Sequence, residues 1–312
     1  VQVKMTSNAP RSVSPAPEPL PPVRLKNIGF CGIDDSVSAH HVGAILQAYP
    51  FAEFGILFRE DLEGRPRYAS AAQVEKICDV VRAVREHSSS EISLAAHLCG
   101  KRADKLLAGD GAFVAELAAK GFTRVQVNAT AANGADTSKL GEDIKNFIGV
   151  VGKHRQIEFI IQKNEETRPL WTALLLHRMT SEGGRKLRRL TMLVDESKGT
   201  GVAISKYPVP PEDYDIGYAG GIDPENIAGV LEKVAEAAAG RRTWIDMESS
   251  LRTETADGRD VFDMGKVFAC IDAAVEGGYH SRPNFYGNKR KSPPTSDGAG
   301  GAADGEGKRQ KK

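Results

Sequence analysis

No window of this chain holds the ~18 consecutive apolar residues of a membrane-spanning helix, so no helical span is expected. Cysteine is scarce. The four present, Cys31, Cys78, Cys99 and Cys270, are scattered without metal-ligand spacing. That usage fits reduced thiols in a reducing compartment and leads us to expect no metal. Charge of one sign is also missing: a formal net charge of +1 gives the folded part no bias toward nucleic acid or membrane. The first residues lack the apolar core of a secretory signal, and the sequence begins at Val1 rather than Met. These readings together predict a cytoplasmic protein without a nucleic-acid or membrane partner.

What is present is enough for a large core. At 312 residues with 40% hydrophobic content, the chain can bury one substantial core or two small ones. Residues 1–22 are Pro- and Ser-rich and poor in large apolar groups, which predicts a disordered leader. From Asn288 to Lys312 the composition is similar, with basic clusters at Lys289–Lys291 and Lys308–Lys312. We read this tail as solvated low-complexity sequence, with a nuclear-import signal as the alternative.

Between the tails, over 23–287, short apolar runs alternate with longer amphipathic runs. The strand candidates are 26–30, 54–58, 92–96, 124–127, 157–161, 191–194, 216–219 and 243–247. Helix candidates follow at 36–48, 71–86, 101–119, 136–151, 165–177, 224–238 and 260–276, and only the sixth strand lacks one. Eight such repeats predict a parallel eight-stranded (β/α)8 barrel, with an open doubly wound sheet as the alternative.

A barrel works at the C-terminal ends of its strands. Those ends read Cys31, Arg59, His97 with Cys99, Asn128, Gln162 with Lys163, Asp195, Gly220-Gly221 and Glu248-Ser249-Ser250. Cys31 and Asp195 are candidates for a base and acid pair, provided the thiol is lowered and the carboxyl raised in pKa. The stretch Tyr214–Asn226, YDIGYAGGIDPEN, combines a strand, a glycine pair and a helix start with Asp223 as N-cap and Pro224 in the first turn. Such a turn aims free N–H groups and a positive dipole end at an anion, although an ordinary tight βα turn has the same form. Lys163 is a conceivable Schiff-base lysine, with a solvated role as the alternative. His97 and Cys99 supply only two metal ligands.

The motifs resemble the phosphoribosylanthranilate isomerase family, a tryptophan-biosynthesis barrel. The shared segments are Phe30-Cys31-Gly32-Ile33, Pro66-Arg67-Tyr68, Val125-Gln126, Leu193-Val194-Asp195 followed by Gly199-Thr200-Gly201, Ala219–Ile227, and Ile245–Ser250 followed by Gly258-Arg259-Asp260. The resemblance runs collinearly over about residues 24–276. It implies a cofactor-free Amadori rearrangement of a phosphoribosyl amine, with Cys31 as general base and Asp195 as general acid. Arg67, Gln126 and Asn128 fall at substrate-binding positions. Gly199, Thr200, Gly201, Gly220, Gly221, Ser249 and Ser250 fall at phosphate-binding ones. Three departures stand out: Gly29 where the family has lysine, Asn128-Ala129 where it has His-Gly, and Glu248 before the two serines. These leave open an isomerase or lyase on a different phosphosugar, or an inactive barrel serving as a binding protein.

Overall fold

The computed structural model describes residues 24–281 except 143, 197–203 and 205, so the expected leader and tail lie outside the described residues. Eight parallel strands lie side by side in chain order. They are β1 (Arg24–Cys31), β2 (Ala52–Phe58), β3 (Leu94–Leu98), β4 (Arg124–Val127), β5 (Glu158–Lys163), β6 (Leu190–Val194), β7 (Ile216–Ala219) and β8 (Arg242–Met247). β8 pairs with β1, closing the (β/α)8 barrel that the sequence predicts. The helices around it are α1 (Ala39–Ala48), α2 (Ala71–His87), α3 (Lys101–Leu107), α4 (Ala112–Lys120), α5 (Ile144–Lys153), α6 (Arg168–Arg178), α7 (Ser181–Lys186), α8 (Ile227–Ala238) and α9 (Met264–Glu276).

Successive strand residues face opposite sides. One set, including Ile28, Phe30, Phe54, Ile56, Val125, Val127, Phe159 and Ile161, merges with the buried helix faces into one large apolar cluster. The other set fills the barrel interior, which is layered. At the N-terminal end sits an ionic layer: the buried Arg124 guanidinium bonds Glu53 Oε1 at 2.5 Å and Glu158 Oε1 at 3.0 Å, and Lys26 also reaches Glu158. Above it lies Trp244, its ring 4.5 Å from the Arg124 guanidinium, packed with Ile160, Leu193 and Ala219. The interior is thus closed below, and only the C-terminal end opens.

Several boundaries differ from expectation, such as α5 starting at Ile144 rather than 136, and three of them have a clear local reason. The helix expected over 101–119 is two, because Gly109-Asp110-Gly111 breaks it; the Asp110 carboxylate accepts from Ala112 N at 3.0 Å and starts α4. The helix expected from Asp260 begins at Met264. Asp260–Phe262 instead forms β10, an antiparallel partner of β9 (Arg252–Glu254), and Asp263 caps the helix through Gly265 N. Asp223 caps a turn rather than the helix itself: its carboxylate accepts from Glu225 N and Asn226 N, and α8 starts at Ile227. As expected, no helix occurs among the described residues between β6 and β7.

Candidate active site

A cavity of about 560 Å³ lies at the C-terminal ends of the strands. Its wall carries four carboxylates, Asp195, Asp223, Asp246 and Glu248. Five amides, Gln126, Asn128, Asn133, Gln162 and Asn226, join them with His97, Ser249 and Ser250. Among the described residues no lysine or arginine lines it. That absence sets the electrostatics.

Strand register builds the deepest part. Gly29 pairs with Asp246, and Cys31 pairs with Gly55. A Cβ on Gly29 would collide with the Asp246 carboxylate; one on Gly55 would stand 2.9 Å from His97 Nε2 and 3.0 Å from Cys31 Sγ. The two missing side chains therefore make the space that these groups occupy. Cys31 Sγ lies 3.1 Å from His97 Nδ1, and Gln126 Nε2 lies 3.2 Å from the same nitrogen. Gln126 also donates to Asn128 Oδ1 at 2.9 Å, and Asn128 Nδ2 donates to Cys99 Sγ at 3.5 Å. With Gln126 Nε2 as donor, His97 Nδ1 is the acceptor of that bond.

The protonation states follow from burial. Burial and the Arg124 field push the His97 imidazole down to about 3, so it is neutral. Burial pushes the Cys31 thiol well up, and the Asp246 and Glu248 carboxyls add to this. The lowered thiol that a resting general base requires is therefore not what this environment provides. The Asp246 carboxyl is also pushed well up, by burial and then by Glu53 and Glu248. Burial raises the Glu248 carboxyl against the pull of Arg67. Across the cavity Gln162 Nε2 donates to Asp195 Oδ2 at 3.1 Å.

Of the residues singled out in the sequence, Asp195, Gln126, Asn128, Gly220, Gly221, Ser249 and Ser250 share the cavity wall. Cys31 is not on that wall but sits behind His97, against Leu57 and Cys99. Gly199, Thr200 and Gly201 lie outside the described residues. Arg67 stands at the rim, its guanidinium on Glu248 Oε1 at 3.3 Å and Ser249 Oγ at 3.1 Å, so it is already occupied by the protein's own groups. Its backbone is left-handed, φ 75°, held by Arg67 N donating to Asp34 Oδ2 at 2.6 Å. Arg252 bonds Asp34 and Asp260 and leaves Glu248 to Arg67. Lys163 is absent from the wall; its ammonium lies 4.9 Å over the Trp171 ring. The N–H groups of Glu225 and Asn226, expected to face an anion, are taken by Asp223.

Sequence reasoning passed over Asp246, although a period of two along β8 places Trp244, Asp246 and Glu248 on one face. It also missed the joining of Cys31 with His97, because the two are 66 residues apart.

No protein-family model matches the chain, and no curated protein matches it. Solved structures do follow a similar course. A rubisco-like protein from Burkholderia fungorum aligns with 83% of this chain and 62% of its own, at 12% identity and a TM-score of 0.41. Rubisco from Pyrococcus horikoshii aligns over 82% and 59%, at 12% identity and 0.42. The catalytic domain of a GH30 xylanase C from Talaromyces cellulolyticus aligns over 85% and 77%, at 11% identity and 0.45. The chain spans about six tenths of the length of the rubisco-type structures. Likeness at this level carries nothing about substrate or reaction.

Proposed function

We propose that the chain is a barrel enzyme that moves protons between carbon and oxygen of a polyhydroxylated carbonyl compound, as an isomerase or a lyase. The observation that carries this is the cavity wall: four carboxylates, five amides and a neutral imidazole, without a described cation. Asp195 after β6 and Glu248 after β8 are the proton-transfer pair, two carboxyls on one cavity from different strands. The side-chain amides supply donors and acceptors for hydroxyl groups, and Gln162 Oε1, buried without a hydrogen-bond partner, is an acceptor awaiting one. Such a wall favours an uncharged or cationic substrate, since an anion would meet carboxyl oxygens with no described cation lining the wall.

Phosphoribosylanthranilate is the second reading. It is supported by Cys31 on β1 and Asp195 after β6 at the same end of the barrel, and by Gly220, Gly221, Ser249 and Ser250 on one wall. Its phosphate would need a seat away from Asp223 and Glu248.

The test is turnover of phosphoribosylanthranilate beside a panel of neutral aldoses and amino sugars, with solvent-deuterium incorporation next to the carbonyl as the readout. Wild type should label a neutral or amino sugar. Asp195→Asn and Glu248→Gln should each lose about 10²-fold or more. Turnover of phosphoribosylanthranilate with the neutral panel inert would establish the second reading instead.

A further inference from the structure

At the cavity floor three donors of different chemistry converge from three strands. Cys31 Sγ, an imidazole nitrogen of His97 and a carboxylate oxygen of Asp246 all lie within 4.8 Å of one another. The three residues are 1%, 3% and 9% exposed. Among the described residues no hydrogen bond reaches the Asp246 carboxylate. The Asp246 carboxylate thus faces the cavity as a donor atom not committed to a protein hydrogen bond.

The geometry points to a zinc-type divalent-cation site made by Cys31, His97 and Asp246, with its fourth position open to the cavity. A mixed sulfur, nitrogen and oxygen set suits Zn²⁺ or its stand-in Co²⁺, whereas Mg²⁺ and Ca²⁺ take all-oxygen shells. Three protein ligands with one open position is the pattern of a catalytic rather than a structural zinc. Bonds of about 2.0–2.3 Å around a tetrahedral ion place ligand atoms about 3.3–3.7 Å apart. The pair Cys31 and His97 stands at 3.1 Å already, so the third donor closes by roughly an ångström.

Gly29 and Gly55 leave the room for that closure, because a side chain at either would press on these donors. The linear spacing of the cysteines and histidines hides the site, since each ligand comes from a different strand. The inference does not rest on the proton-transfer reading, because it concerns Cys31, His97 and Asp246 rather than Asp195 and Glu248.

The full-length chain, stripped with chelator and dialysed, is titrated with Zn²⁺ by calorimetry and loaded separately with Co²⁺. One Zn²⁺ per chain should bind, and the Co²⁺ form should show a thiolate-to-cobalt absorption band in the near ultraviolet. Cys31→Ser should abolish the band and Cys99→Ser should keep it. His97→Gln and Asp246→Asn should each weaken Zn²⁺ about tenfold or more, with the fold checked by circular dichroism. X-ray absorption of zinc-loaded wild type, which needs no variant to fold, should show one sulfur at about 2.3 Å with nitrogen and oxygen near 2.0–2.1 Å. No stoichiometric uptake by wild type would overturn the site. So would a zinc shell without sulfur, a band lost in Cys99→Ser but kept in Cys31→Ser, or an affinity unmoved by Asp246→Asn.

Discussion

Replacing Arg124 with methionine tests whether the floor of the barrel depends on its ionic layer. Arg124 is 2% exposed, and its guanidinium bonds both Glu53 and Glu158, themselves buried. Burial pushes the Glu158 carboxyl up, but the Arg124 and Lys26 charges overcome it and hold the group at about 2. Arg124→Met keeps the stem that packs on Trp244 and removes the charge, leaving two buried carboxylates with only Lys26 beside them. Breaking a buried pair by removing one partner costs about 3–5 kcal/mol. For a domain of this size that is a fall of about 6–10 °C in Tm. Urea unfolding at pH 8, monitored by far-UV circular dichroism, measures it. The loss should shrink at pH 5, because the stranded carboxyls then bind protons in the folded state. The triple variant Arg124→Met with Glu53→Gln and Glu158→Gln should recover most of the loss, since the cost lies in uncompensated charge. A loss below about 1 kcal/mol for Arg124→Met, or no recovery in the triple variant, would refute this account of the barrel floor.

Two further outcomes follow from single residues. His280 stacks on Phe51 with ring centroids 3.8 Å apart, and burial pushes its imidazole down to about 4. A folded value below the unfolded one means that stability is full above about pH 6.5 and declines as pH falls toward 4. After allowance for its partial exposure the loss is about 1–2 kcal/mol, and His280→Phe should flatten that limb of a Tm-against-pH curve. Arg67 holds a left-handed backbone, so Arg67→Gly should be more stable than Arg67→Ala by about 1 kcal/mol, although both lose the same contacts to Glu248 and Ser249. Equal urea midpoints for the two would show that the φ 75° conformation carries no strain.

The barrel was legible because eight apolar runs separated by amphipathic ones admit few other arrangements, and every expected strand is present. Helix ends were less legible, because side chains set them locally. Asp263 and Asp110 start α9 and α4 later than hydrophobic periodicity suggests. The site was legible by position and not by protonation. Strand ends named Asp195, Gln162 and Asn128, but burial of Cys31 behind His97 is a three-dimensional fact that the motif Phe30-Cys31-Gly32-Ile33 does not contain.

The departures from the isomerase family become one argument once they are placed together. Where the resemblance implies a lysine, Gly29 opens the room into which the Asp246 carboxyl reaches from the neighbouring strand. Where it implies histidine, Asn128 instead joins an amide relay through Gln126 to His97. Glu248 adds a further carboxyl, paired at the rim with Arg67. The first change leaves the Asp246 carboxyl without the lysine that the resemblance implies beside it, and the third places another carboxyl on the same wall. Four carboxyls on a wall with no described lysine or arginine favour cations over anions, whether a metal ion, an amine or the positive end of a polarised bond. The substrate panel should therefore be chosen by charge before it is chosen by likeness to any known barrel.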